Sequence, residues 1–279
     1  MLFALSLKTI IVMVIGTFTV STGVGNKWQI QSDAQSLLMT CSYKCTSFSA
    51  PVTDANFATA VADLAAAFNG KLSILYTDSD NGINQVIIPS TSFADIVEGI
   101  AGQKGRIEIV TGGSATTAIA HIRIPLSEDG TIRVSGNASI TVEFEGFTNA
   151  VLGGGNYDGS ISLETFVTPN YTKKMQVVEV NGINTGQTAT VDLTLKKYLI
   201  FSKNLSKMNI FSLAGSMHEL PSTNLRTFAT QSTRAHWKFM GVPYAYANWI
   251  VLPVHAHKNA LVALSSGNVV YTVHDVVLP

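Results

Sequence analysis

Charged residues are scarce in this chain of 279 residues. They make up 13% of it, against ~25% in an ordinary soluble protein. Neither sign is in excess, because 18 Lys and Arg residues balance 18 Asp and Glu residues. Nucleic-acid binding needs a basic surplus to neutralise phosphates, so we expect no direct, specific nucleic-acid binding. A neutral, weakly charged surface suits a protein that packs against many neighbours, or a secreted β-protein, better than a cytosolic monomeric enzyme.

Cysteine is nearly absent, since Cys41 and Cys45 are the only two. Two cysteines alone cannot complete a zinc site. In a strand they would lie on one face roughly 13 Å apart, too far for a disulfide, whereas in a helix or tight turn they could meet. We expect small core residues, with a disulfide as the alternative.

Motifs that identify a reaction are also missing. The sequence has no Gly-x-Ser-x-Gly elbow and no His-Glu-x-x-His pair, and Gly153–Gly155 lacks the residues of a phosphate loop. The turn Asp78–Gly82 imitates the start of a calcium loop, but its glycine comes one position early and Pro89 stands where the closing Glu belongs. We therefore expect a plain turn there, no cofactor and no enzymatic activity.

His255 and His257 are the one candidate for a metal site. On a strand, side chains two positions apart share a face at roughly 6.5–7 Å, which two imidazoles can bridge. The pair resembles the His-x-His of the cupins, but Lys258–Leu264 holds no Glu to continue that motif. We therefore expect exposed or interface histidines and no metal, with a metal site at His255 and His257 as the alternative.

Regular alternation is what the sequence does contain. Between residues 105 and 146, polar and apolar residues alternate with period two, and glycine-containing turns separate the runs. This pattern is typical of half-buried antiparallel strands. The predicted polar face holds Arg106, Glu108, His121, Arg123, Arg133, Glu143 and Glu145, and the predicted apolar face holds Ile107, Ile109, Ile122, Ile124, Ile132, Val134, Ile140, Val142 and Phe144.

The rest of the chain predicts more strands and two helices. Thr53 or Asp54 should cap a helix that Asn69-Gly70 stops, and Ser90–Ser92 should cap a short helix over Phe93–Ile100. Residues 211–234 are irregular, and two interpretations stay open: a long loop, or a part of the second barrel. Strands are predicted at 10–20, 26–31, 36–44, 71–76, 85–88, 175–181, 188–195, 197–202, 207–213, 236–240, 247–255, 260–264 and 268–277.

A glycine-rich break within residues 147–174 divides these elements. The predicted fold class is mainly β, with two jelly-roll barrels or sandwiches in tandem. The first covers residues 1–164, with an apolar N-terminal arm and one or two short helices. The second covers residues 165–279.

The first residues form the apolar arm. Lys8 comes late, the apolar run Ile10–Ile15 is short, and no small-residue cleavage site follows, so the segment fits a signal peptide poorly. It is also far below the ~20 residues that cross a bilayer. We expect an uncleaved strand or docking arm, with a signal or membrane-contacting segment as the alternative. The residues expected to contact a membrane or a neighbour are Leu2, Phe3, Leu5, Ile10 and Ile11.

The order of elements in the first half resembles one family. An apolar arm precedes Lys71–Tyr76 and the short helix Phe93–Ile100, and the strands Arg106–Val110, His121–Leu126 and Ser139–Glu145 follow. This order is similar to that of the small double jelly-roll major capsid proteins of membrane-containing icosahedral phages, of the corticovirus and finnlakevirus type.

The resemblance implies a structural role in the virion. Such proteins form homotrimers of pseudo-hexagonal outline, and these capsomers tile an icosahedral shell over an internal membrane. Neighbouring capsomers would be its main partners, with penton, minor capsid or membrane proteins as further ones and lipid contact through the N-terminal arm.

Two other classes of function stay open from the residues. A secreted or surface carbohydrate-binding β-sandwich, of the lectin or adhesin kind, would use an aromatic platform of Trp237, Tyr244, Tyr246 and Trp249. A cupin-like metalloenzyme would depend on His255 and His257.

Overall fold

Strands dominate the fold, and the mainly β prediction is confirmed. The computed structural model describes residues 11–19, 26–45, 52–53, 56–101, 107–111, 116–148, 160–202, 205–221, 249–265 and 269–279. Helix α1 spans Phe57–Ala67, and the short helix α2 spans Phe93–Asp95 and continues as a π-helical segment, Ile96–Ala101.

Two antiparallel sheets form in the first half of the chain. Sheet A has the order β1-β10-β3-β7-β6, and sheet B has the order β2-β9-β4-β5. Their strands are β1 (Ile11–Thr19), β2 (Asn26–Ile30), β3 (Ser36–Lys44), β4 (Asn69–Asp78), β5 (Ile83–Ser92), β6 (Ile107–Thr111), β7 (Thr117–Pro125), β9 (Ala138–Thr148) and β10 (Ser160–Val167). The short strand β8 (Thr131–Ile132) pairs in parallel with β11 (Tyr171–Thr172).

Two more antiparallel sheets follow in the second half. Sheet C has the order β12-β19-β14-β17, and sheet D has the order β13-β18-β15-β16. Their strands are β12 (Lys174–Gly182), β13 (Thr188–Asp192), β14 (Lys196–Ser202), β15 (Leu205–Ser212), β16 (Met217–Pro221), β17 (Trp249–Pro253), β18 (His257–Leu264) and β19 (Val269–Val277).

The same strand order recurs in both halves. When β6, β8 and β11 are set aside, the described residues of each half form eight strands in sequence. One sheet then holds the first, eighth, third and sixth strands, and the other holds the second, seventh, fourth and fifth. This order matches that of an eight-stranded jelly roll. Strand β10 completes sheet A and runs across the predicted boundary at residue 164.

The predicted alternation between residues 105 and 146 is confirmed. All of the residues predicted for its apolar face are buried. The described residues of its polar face, from Glu108 to Glu145, are exposed or half-buried. The reason is the period of two, which turns successive side chains to opposite faces of a sheet.

Predictions at the helix ends were confirmed for one helix and wrong for the other. The Ser92 hydroxyl caps α2 by accepting a 3.1 Å hydrogen bond from the Asp95 N–H. The N-cap of α1 is Asn56, which makes no side-chain cap, and its amide oxygen instead accepts from the N–H of Thr53. Asn69 and Gly70 do not stop α1 but begin β4.

The irregular stretch 211–234 is only partly a loop. Strand β15 continues to Ser212, and β16 pairs back on it from Met217 to Pro221. Of the two alternatives, residues up to 221 therefore belong to a sheet of the second half, because a short turn joins two paired strands there. Residues 222–234, and the strand predicted at 236–240, lie outside the described residues.

The hydrophobic core links the two halves. The larger buried cluster fills the space between sheets A and B, and it also includes Met175, Val178, Ile200, Tyr271 and Val273 from sheet C. A second cluster, which includes Leu199, Phe201 and Val270, lies between sheets C and D. Sheet C therefore buries both of its faces.

Candidate functional site: the junction between the two sheet pairs

Sheet C packs against the first sheet pair along a surface that we call the junction. Strand β5 contacts β12, and the π-helical segment contacts β14 and β17. The segment supplies Ile96 and Val97, both fully buried, to the same cluster as Ile200 and Val273. Burial of one such side chain stabilises a fold by about 1.5–3 kcal/mol. Both halves therefore contribute side chains to one buried core at the junction.

A short side-chain hydrogen bond crosses the junction. The Ser92 cap fixes the first turn of α2 and with it the position of Asp95. The Tyr271 hydroxyl, on β19, donates to Oδ2 of Asp95 at 2.6 Å. Burial raises the pKa of Tyr271, and the hydrogen bond to Asp95 raises it further. The phenol therefore stays protonated and remains a donor.

Ion pairs also join the two halves. Lys197 Nζ lies 2.5 Å from Oδ2 of Asp275, its neighbour in sheet C, and 3.5 Å from Oε2 of Glu128 in the loop after β7. Lys174 Nζ lies 3.2 Å from Oδ2 of Asp129 in the same loop. The first half thus supplies acids, and the second half supplies the cations and the phenol. This complementarity fixes how the halves align.

A polar cluster occupies the other face of sheet C. Lys196 Nζ lies 2.6 Å from Oε2 of Glu179 and 3.3 Å from Nδ1 of His274. Burial raises the pKa of Glu179, but the hydrogen bond and charge of Lys196 outweigh it, so that pKa lies below its ordinary value. Burial and then the Lys196 charge lower the pKa of His274, against opposite effects of Glu179 and Asp275.

The predicted histidine pair does not lie on one strand. His255 is exposed in the turn between β17 and β18, and His257 is the first residue of β18. The His257 N–H donates to the Val254 carbonyl at 2.9 Å. Among the described residues, no three or more His, Cys, Asp or Glu side chains form a group that could hold a metal ion.

The predicted contact residues of the arm fall mostly outside the described part. Leu2, Phe3, Leu5 and Ile10 lie there, whereas Ile11 begins β1 and pairs with Val167 of β10. Residues from Ile11 onward therefore belong to sheet A, so the predicted arm ends sooner than its apolar sequence indicates. The first three residues of the predicted aromatic platform, Trp237, Tyr244 and Tyr246, also lie outside, and Trp249 begins β17.

The cysteines are core residues, and the disulfide alternative is wrong. Cys41 lies in β3 and Cys45 directly follows it, and both are buried and free. Burial raises the pKa of Cys41 strongly, and burial followed by the charge of Asp63 raises the pKa of Cys45 to about 11. Both thiols are therefore protonated and unreactive at neutral pH.

A cleft of about 200 Å³ lies beside the turn that imitates a calcium loop. Its lining includes Tyr76, Asp78, Arg133 and Lys173. The Asp78 carboxylate accepts hydrogen bonds from the Asn81 side chain at 2.7 Å and from the N–H groups of residues 80 and 81. Its oxygens thus stabilise the turn, as a plain turn requires.

Sequence reasoning missed the contacts of the junction. Asp95 and Tyr271 are 176 residues apart, and neither belongs to a motif. The signals that could be read were indirect: a capping serine ahead of Asp95 and a strand pattern around Tyr271.

No protein-family model matches this chain, and no curated protein matches it. Among the residues that the structure describes, none of the helices is long and apolar enough to span a bilayer.

Proposed function

We propose that this chain is the structural coat subunit of a virion, a double jelly-roll major capsid protein. In this proposal each sheet pair is one jelly-roll module, and the two modules stand in tandem. The observation that carries the proposal is the recurrence of one strand order in both halves of a single chain. The proposal assigns no reaction and no cofactor to the chain.

The junction supports this role. A shell subunit has to present both modules in a fixed relation, because its neighbours contact both of them. The shared hydrophobic cluster and the bonds from Asp95, Glu128 and Asp129 to sheet C supply that fixed relation. Closing the sheets in pairs also limits exposed strand edges, which would otherwise pair without control.

Surface charge supports the role as well. A formal net charge of zero leaves no long-range repulsion between copies. Few charged groups have to lose water when copies bury their surfaces against one another. Three copies with two upright modules each would give a trimer of pseudo-hexagonal outline, the capsomer that tiles an icosahedral shell over a membrane.

Native mass spectrometry of the purified full chain tests the proposal. We expect trimers to dominate and larger assemblies to form as the protein concentration rises. The matched control is a variant with a weakened junction, Tyr271→Phe combined with Lys197→Met, which should form fewer trimers at the same concentration. A protein that stays monomeric at every concentration would contradict the proposal.

A further inference from the structure

Exposed apolar side chains gather at one end of the molecule. Among the described residues, the large apolar side chains that are more than half exposed are Tyr171 (55%), Leu195 (90%), Leu213 (63%), Met217 (53%) and Val277 (67%). The less exposed ones, Val86 (44%), Val110 (36%) and Val180 (41%), lie within strands.

Strand register brings four of the five together. In sheet C, β19 ends at Val277, opposite the first residue of β12. In sheet D, β15 and β16 close at the pair Phe211–Met217, and Leu213 lies in the turn between them. Leu195 lies in the short turn that leads from the end of β13 to the start of β14. Since these turns are short, sheets C and D end on the same side.

The first sheet pair contributes to the same end. Ile11, the first residue of β1, pairs with Val167, the last residue of β10. Residues 168–173 alone separate Val167 from β12, and Tyr171 lies in that connection. We call this end, which holds the five apolar side chains and the start of β1, the shared end. The sequence that precedes Ile11 in the chain is apolar, with leucine at three of its ten positions.

Leu195 is unfavourable in the isolated chain in two respects. Its φ is +62°, and every other described residue with a positive φ is a glycine. An L-residue with a side chain is strained in this region of backbone conformation. Its side chain is also almost wholly in water. Such a combination is typical of a residue selected for contact with a partner.

Charges at the shared end balance. Exposed or half-buried groups of both signs lie there in similar number: Lys173, Lys174, Lys197, Lys258 and Arg133 against Asp33, Glu128, Asp129, Asp192 and Asp275. The Arg133 guanidinium lies 4.8 Å from the centre of the Tyr171 ring. Without a field of one sign, this end has no strong electrostatic attraction to anionic headgroups, and apolar contact has to supply the binding.

We propose that the shared end inserts its apolar side chains into the interfacial region of a lipid bilayer. The inference rests in part on the proposed coat function, which sets the shell over a membrane. The sequence before Ile11 is apolar as well, and a tyrosine ring under an arginine suits the headgroup level. A bilayer of zwitterionic lipid can bind this surface, because the surface is apolar and balanced in charge.

Vesicle flotation of the full chain tests the inference. We expect binding to phosphatidylcholine vesicles and to vesicles that also contain phosphatidylglycerol, with little change between low and high salt. The triple variant Leu195→Asn, Leu213→Ser and Met217→Gln should bind at least about tenfold more weakly, because three apolar contacts are lost. The matched control, Val86→Thr, Val110→Thr and Val180→Thr, removes exposed apolar groups elsewhere and should bind as the unaltered chain does.

The contrary results are distinct. Binding that vanishes at high salt, or an equal loss in both triple variants, would overturn the inference. A dimer that forms without lipid and is abolished by the shared-end variant would also overturn the inference, since a second copy of the chain would then cover the shared end. Trimers that never float with vesicles would overturn the inference and leave the proposed coat function intact. Vesicle binding by a strictly monomeric chain would support lipid binding at the shared end and contradict the coat function.

Discussion

Tyr271 and Asp95 join the two halves of the molecule through a 2.6 Å hydrogen bond. The donor lies on the last strand of the chain, and the acceptor lies in the first turn of α2. The bond sits beside the buried cluster that includes Ile96, Val97 and Val273. Folding of the second sheet pair is thereby coupled to the placement of a short helix in the first.

The first prediction concerns this bond. Tyr271→Phe keeps the ring and removes the donor, so the Asp95 carboxylate loses its partner. A hydrogen bond to a charged group contributes about 1.5–3 kcal/mol, and we expect a loss in the free energy of unfolding in that range, measured by urea denaturation. The control is Tyr171→Phe, because the exposed Tyr171 hydroxyl donates to Asp33 at 3.0 Å, where water can replace the phenol. Equal losses in both variants would contradict the junction's role.

Lys197 gives the second prediction. Lys197→Met removes a cation that pairs with both Asp275 and Glu128 and leaves both carboxylates without it. We expect a loss of about 1–2 kcal/mol, between the effects known for exposed and for fully buried ion pairs. Lys207→Met breaks the exposed pair with Glu219 and should change stability by less than about 0.5 kcal/mol. Chemical denaturation measures the loss of unfolding free energy in both variants. Similar losses in the two would contradict the role of Lys197 at the junction.

His274 gives a prediction about pH. Its pKa in the folded chain lies below the ordinary value because of burial and the Lys196 charge, against the pull of Glu179 and Asp275. The unfolded chain therefore takes up this proton at a higher pH than the folded chain does, and stability falls as the pH drops through about 6.5. Below the folded pKa the loss is complete.

Urea unfolding at about pH 7.5 and about pH 5.5 measures this effect. The difference in unfolding free energy between the two pH values should be smaller in His274→Gln than in the unaltered chain. Identical differences would show that His274 does not supply the pH dependence.

For Leu195, we predict that glycine substitution changes stability in the opposite direction from the same substitution at Leu213. Leu195→Gly relieves a strained φ of +62° and should raise the unfolding free energy by about 0.5–1 kcal/mol. Leu213→Gly makes the same chemical change in another exposed turn, at a residue without a positive φ. It should lower stability by about 0.5–1 kcal/mol, because glycine gains freedom in the unfolded chain. Thermal and urea denaturation would show the two shifts, and a shift of the same sign in both would contradict the strain argument.

Local signals in the sequence predicted much of the fold. Period-two alternation correctly placed Ile122 and Ile124 inside and Arg123 outside, because a strand turns alternate residues to opposite faces. Ser92 correctly predicted the start of α2, since its hydroxyl needs only a donor three residues ahead. Such features depend on neighbours in the sequence, so they can be read without the fold.

Contacts between distant segments could not be read in this way. Nothing near Asp95 identifies Tyr271 as its partner, because strand order and register decide which side chains meet. The hairpin that includes Met217–Pro221 was missed because its strand is short and does not alternate between polar and apolar residues. The place of Leu195 was missed for a related reason: the predicted strand 188–195 included it, whereas β13 ends at Asp192 and Leu195 lies in the turn that follows.

Electron microscopy of the purified full chain tests the central claim most directly. The account predicts trimeric particles with a pseudo-hexagonal outline, in which each subunit shows two upright β-modules held in one fixed relation, and which close into shells. Single subunits without a common outline, or subunits whose two sheet pairs take varied relative positions, would contradict it.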